Sequence, residues 1–159
     1  MNDKQPTLNP KQFLPRYTKG VELIKQEFSK RDRIWCHGHF KPKEIYQRDD
    51  KYYLTDFAHS QFCPLGYEFA FIIWADYLMA SDYFQPYTRW KKGVYDWVGK
   101  LAVAAKKLKI KDYQSLIKAS LVERIIGTLL ADVCVPDFPR ERKLQMIKYL
   151  YNLFDELVK

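Results

Sequence analysis

All three histidines of the chain, His37, His39 and His59, and two of its three cysteines, Cys36 and Cys63, fall within 28 residues. Glu44 and Asp56 are interleaved with them. Three kinds of chemistry use these groups. A neutral imidazole such as His39 accepts a proton near neutral pH, because its ordinary pKa lies close to ~6.5. Carboxylates such as Glu44 and Asp56 offer the hard oxygen ligands that magnesium takes. Cysteine and histidine together make zinc sites, which need four nitrogen or sulfur donors arranged tetrahedrally. The candidates for zinc are Cys36, His37, His39, His59 and Cys63, with His59 and Cys63 four residues apart. No Cys-x-x-Cys pair is present, and the adjacent Cys36 and His37 are poorly placed to face one ion.

The elements that must position these groups follow from hydrophobic spacing. Pro6, Pro10 and Pro15 lie among polar residues, so residues 1–16 read as an extended lead-in. Tyr17, Val21, Ile24 and Phe28 recur at helical spacing and predict a helix over residues 17–30. Lys43 to Gln47 and Lys51 to Asp56 read as a hairpin around the polar turn Arg48-Asp49-Asp50. Beyond it the pattern is helical. Tyr67 to Ser81 carries only Glu68 and Asp76 as charges, which predicts a helix buried on most sides, with Asp76 a paired structural carboxylate. Val94, Trp97, Val98, Leu101, Ala104, Ala105 and Leu108 form a second stripe, Tyr113 to Val133 a third, and Asp137 and Pro139 open a last helix to Leu157. Trp74, Trp90 and Trp97 are core candidates by the same spacing. The fold expected is mainly α with a small β-hairpin, as one domain over residues 17–159.

Composition sets outer bounds. With 159 residues, 47% of them apolar and 16% aromatic, the chain can bury a continuous core, and dominant disorder is excluded. The longest nearly uncharged apolar stretch, Phe69 to Ala80, is too short to span a bilayer. The opening residues show no signal-peptide core, and three cysteines make no disulfide framework, so a cytoplasmic location is expected. The net charge of +8 admits an acidic partner. Lys91, Lys92, Lys100, Lys106, Lys107, Lys109 and Lys111 could meet nucleic acid, but no recognised nucleic-acid motif accompanies them. A run of this kind is more often the solvated face of a helix, which is the reading expected here.

The middle segment carries a resemblance. It runs Cys36-His37-Gly38-His39-Phe40-Lys41-Pro42-Lys43-Glu44-Ile45, then Tyr53-Leu54-Thr55-Asp56-Phe57-Ala58. This resembles the catalytic half of the aminoglycoside phosphotransferase and choline kinase-like superfamily, relatives of the protein kinases. His37-Gly38, Pro42, Ile45 and Asp56 fall in register with that family's pattern, and Pro64-Leu65-Gly66 precedes Glu68, the acidic residue that opens a buried helix. Glu123 to Gly127 resembles the family's C-terminal helices. The resemblance implies a kinase-like C-terminal lobe over residues 17–155, with Mg and ATP as cofactors if the chain is active. It places His39 where the family has its catalytic Asp and Glu44 where it has a metal-binding Asn. Asp56 matches the second metal-binding carboxylate, and His37 a packing histidine beneath the catalytic loop.

Two functions follow as expectations. In the first, a lobe with a degenerate site binds or regulates rather than catalyses, with Cys36 and Cys63 as small buried hydrophobes. In the second, it is the catalytic lobe of a small-molecule phosphotransferase, completed by an N-terminal lobe. Only about 16 residues precede the first expected helix, and Gly20 stands alone in the first 37, so no Gly-rich phosphate loop is seen. The face left by such a lobe should be apolar and should meet a protein partner or a second copy of the chain.

Overall fold

The computed structural model describes residues 8–79, 83–134 and 138–159. The first helix, α1, runs Pro10–Phe28. Asn9 caps it by accepting from the Lys11 N–H at 3.0 Å, and Pro10 occupies the first turn, where its missing N–H costs nothing. Residues 10–16 are therefore helical rather than part of an extended lead-in, and residues 1–7 lie outside the described residues. Pro15 sits inside the helix on its exposed side. The next residue, Arg16, donates from Nη1 to the Gln12 carbonyl at 2.7 Å and from Nε to Asp155 at 2.9 Å. Local proline content suggested an extended start; the cap and these tertiary contacts extend the helix through it.

Four short strands follow: β1 Arg33–Cys36, β2 Ile45–Arg48, β3 Lys51–Leu54 and β4 Gln61–Pro64. The expected hairpin is β2–β3, with Ile45 opposite Leu54 and Arg48 opposite Lys51. Asp49 and Asp50 both take positive φ, 49° and 58°, which gives the turn the twist two paired strands require. A second antiparallel pair, β1–β4, sets Ile34 opposite Cys63 and Cys36 opposite Gln61. Four residues ending in a proline carry too little pattern to announce a strand. The two pairs hold two loops side by side, residues 37–44 and 55–60.

The expected helix over Tyr67–Ser81 is broken up. After turns at 65–70, a single α-turn, α2 Phe71–Ile73, passes into a π-turn at Trp74–Leu78, closed by Met79 N to the Trp74 carbonyl at 2.9 Å. The Ala70 N–H donates to the buried Ser120 hydroxyl at 2.9 Å, which leaves it outside any helical ladder. Residues 80 and 81 lie outside the described residues. Three longer helices complete the chain: α3 Tyr87–Lys107, α4 Tyr113–Leu130 and α5 Arg140–Leu157. Asp137, read as opening the last of these, lies outside the described residues, and Pro139 directly precedes it.

The core is built around α4, which packs on α1, α3 and α5 and buries Leu116, Leu121, Val122, Ile125 and Leu129. Gly20 lets α1 approach it: a Cβ there would come within 2.5 Å of Ile126 and 3.0 Å of Phe154. Trp90 is fully buried and donates to the Tyr77 carbonyl at 3.1 Å, while Trp74 and Trp97 pack partly buried against the same cluster. Asp76 is exposed and accepts from Trp97 Nε1 at 3.0 Å, a structural pairing. The stripe on α3 divides: Val94 and Ala105 reach the core, whereas Leu108 stands 72% exposed. Among the described residues no helix is long and apolar enough to cross a membrane.

Candidate functional site

The two loops between the strand pairs converge on one point. Glu68, in the turns before α2, accepts the backbone N–H of Gly38 at 2.8 Å and faces that of His37 at 3.4 Å. A half-buried carboxylate facing two backbone donors fixes the path of the loop it holds. His37 is buried, its ring edge-on to Phe57, and its Nε2 lies 2.6 Å from the Thr55 carbonyl. A carbonyl only accepts, so this nitrogen carries the proton. Gly38 sits at φ 83°, and a Cβ there would overlap the His59 carbonyl; only glycine fits this point.

The far end of the first loop is tied to the second. Thr55 N–H donates to the Glu44 carbonyl at 3.0 Å. The short 3-10 turn Pro42–Glu44 aims the Glu44 side chain inward, where it is 5% exposed. Asp56, at φ 59° and ψ 60°, turns the chain just after β3 and stays exposed. Asp tolerates that left-handed conformation better than most residues. As a result His39, Glu44 and Asp56 each offer a ligand atom, all within 4.8 Å of one another. These are the three residues singled out by sequence as catalytic and metal-binding candidates.

Their electrostatics are unequal. His39 lies against His59, Trp74 and Phe71, with ring centroids 4.8, 5.6 and 6.2 Å away. Burial, and next the Lys41 ammonium, push its pKa below the ordinary value of 6.5, with Glu44 opposing. Its imidazole is neutral at pH 7. Lys41 Nζ is 3.0 Å from Glu44 Oε1 and 3.1 Å from His39 Nδ1, and those two atoms are 3.2 Å apart. The ammonium closes a nearly equilateral triangle. Glu44 Oε2 has no hydrogen-bond donor, and its nearest polar neighbour is His37 Nδ1 at 3.7 Å.

The sulfur ligands of the zinc reading do not join this group. Cys36 and Cys63 lie buried on β1 and β4, and among the described residues the one group of three or more potential ligands is His39, Glu44 and Asp56. Consecutive strand residues face opposite ways, so Cys36 turns inward while His37 turns to Thr55. Burial raises the Cys36 thiol to about 11 and the Cys63 thiol above its ordinary value. Sequence reasoning missed Lys41 as part of the site. Its signal was position: two residues after His39 and three before Glu44, across a proline turn.

A cavity of about 680 Å³ opens beside the loops, lined by Trp35, Leu54, Phe57, Ile72, Leu101 and Leu108, with His37 and Glu68 on its wall. It receives the part of the α3 stripe that the core leaves uncovered. No family model, curated protein or solved structure matches the chain.

Magnesium demands near-octahedral oxygen ligation and keeps several waters. Here one of three donors is an imidazole, and an ammonium stands at the corner where a cation would sit. This donor set does not fit magnesium.

Proposed function

We propose that this chain is a kinase-like C-terminal lobe whose site has lost phosphoryl transfer and which serves as a binding or regulatory module. The observation that carries the reading is the clamp on the loop at residues 37–44. Glu68 takes the N–H of Gly38, His37 reaches the Thr55 carbonyl, and Glu44 meets Thr55 across the hairpin. Such a clamp holds three side chains of two loops at one point with little freedom, which is what phosphoryl transfer, a reaction of positioning and charge neutralisation, asks of a scaffold. The clamp supports such a scaffold, while the side chains it carries differ from the family's. His39 and Glu44 stand at the positions of the family's base and metal-binding amide, and Lys41 holds both.

The test is thermal melting with millimolar magnesium and ATP, followed by turnover of the double variant His39→Asp, Glu44→Asn. For a binding module the melting midpoint stays unchanged with nucleotide, and the double variant gains no turnover. Saturating ligand at about 100 times its dissociation constant would add ~2.7 kcal/mol, or roughly 5–10 °C at this chain length. A shift of that size, lost in Asp56→Ala, overturns the reading in favour of a catalytic lobe that works with a second lobe.

A further inference from the structure

The apolar cavity beside the loops is separate from the group His39, Glu44 and Asp56, none of which lines it. Its floor and its mouth differ in exposure. On the floor Cys36 and His37 are 3% and 7% exposed, and Ile72 and Leu101 rest against the core. At the mouth Trp35, Phe57 and Leu108 are 75%, 58% and 72% exposed. The cavity is therefore a cleft that runs from the surface to the core, and a flat protein face would touch its rim alone. Its volume of about 680 Å³ falls within the ~300–1,000 Å³ typical of small-molecule sites. Apolar walls give the water inside few hydrogen-bond partners, so an apolar occupant that expels it is favoured.

The walls also set the charge of the occupant. Among the described residues no lysine or arginine lines the cleft, and its carboxylate, Glu68, is turned to the N–H groups of Gly38 and His37. An anion, a nucleotide included, would meet Glu68 with no cation to offset it. A cation would find that carboxylate already engaged, and a buried charge without a partner is costly. The exposed Ser60 hydroxyl remains to meet one polar group at the mouth. We propose that this cleft binds an uncharged, mainly apolar small molecule that carries one hydrogen-bonding end. The body of the ligand contacts Leu54 and Phe57 on the strand side and Leu101, Ala104 and Leu108 on α3, with its polar end at Ser60. Occupancy bears on both loops, since Phe57 follows Asp56 directly and His37 precedes Gly38 and His39.

The inference does not rest on the lobe reading and is tested apart from it. N-Phenyl-1-naphthylamine, uncharged and fluorescent in apolar surroundings, is titrated into the protein. One equivalent binds with brightened emission. 1-Anilinonaphthalene-8-sulfonate, the same ring system with a sulfonate added, competes at least about tenfold less well, because burying its charge is costly here. Ala104→Phe fills the cleft from an exposed position on α3 and abolishes probe binding, while Val103→Phe, one residue away and outside the cleft, leaves it unchanged. Leu108→Glu, at the open mouth, weakens binding, and cooperative melting curves establish that these variants fold. No binding, binding that persists in both Ala104→Phe and Leu108→Glu, equal loss in Val103→Phe, or equal competition by the sulfonate overturns the proposal. The rim can meet a second copy with the cleft filled; release of the probe as protein concentration rises would put that copy inside the cleft and also overturns it. A nucleotide-induced melting shift in protein that still holds the probe sinks the lobe reading and leaves this one standing.

Discussion

At the scale of single residues, the site shows which parts of a sequence announce themselves. His39, Glu44 and Asp56 were singled out through a resemblance in spacing, and each offers a ligand atom within 4.8 Å of the others. Lys41 was not visible, because a lysine on a polar loop looks like any solvated lysine until its neighbours are placed. Ser120 was hidden for a similar reason: its hydroxyl closes onto Ala70, 50 positions away, and no local pattern reports that distance. Cys36 shows how burial alone decides chemistry. Its side chain is 3% exposed and its thiol is raised from 9.0 to about 11, with burial first and Glu68 next. At pH 8 about one folded thiol in a thousand is ionised, against about one in ten when unfolded. Alkylation by iodoacetamide should therefore run at least about a hundredfold slower in the native protein than in urea. The linkage has one sign. Because the folded thiol holds its proton more tightly, its contribution to stability is complete below pH 9.0 and is lost as pH rises toward about 11. Comparing urea midpoints of the wild type and Cys36→Ala across that window isolates this loss, and equal pH slopes would sink it.

At the scale of elements, periodicity marked the helices well and the breaks between them poorly. The helices α3, α4 and α5 lie close to where the sequence placed them; α3 and α5 each bury one face and leave the other wet, whereas α4 is covered nearly all round. The segment at 67–78 defeated the same logic. Its composition is that of a buried helix, yet Glu68 is recruited by the loop at 37–38 and the Ala70 N–H by Ser120, so the backbone yields to side-chain demands. The π-turn at Trp74–Leu78 then sets Trp74 against His39 and lets its Nε1 donate to Asp132 at 2.7 Å. Such turns often mark functional positions in helices. The β2–β3 hairpin was legible, and its turn offers a direct check. Asp50 holds φ 58° without the freedom of glycine. Asp-Gly is the preferred pair for this turn, so Asp50→Gly should stabilise the fold by about 0.5–1 kcal/mol and raise the melting midpoint by roughly 1–4 °C. A fall in the midpoint would mean that Asp50 contributes more by its charge than its backbone costs.

At the scale of the whole molecule, apolar surface is distributed unevenly. The helical side covers its core; the strand side does not. Trp35 is 75% exposed and Phe62 49%, their rings 5.9 Å apart across β1 and β4, and Phe57 and Leu108 stand open around the same cavity. Exposed aromatic clusters of this kind mark interaction surfaces, and aromatics are what interface cores favour. Two copies meeting through this face would bury those rings but would also bring together two bodies of formal charge +8. The opposition of the two terms fixes a sign. Hydrophobic association is little affected by moderate salt, whereas repulsion between the copies is screened beyond ~10 Å at 0.1 M ionic strength. Self-association should therefore strengthen as salt is raised, opposite to a complex held by the lysines of α3. Sedimentation velocity at rising protein concentration, at low and high salt, reads this directly: the mass should approach that of a dimer sooner at high salt. Trp35→Lys with Phe62→Lys should hold the chain monomeric throughout, since each adds charge where apolar area was to be buried. A monodisperse monomer at high concentration in both salts would remove self-association and leave this face to an acidic protein partner, for which added salt weakens binding.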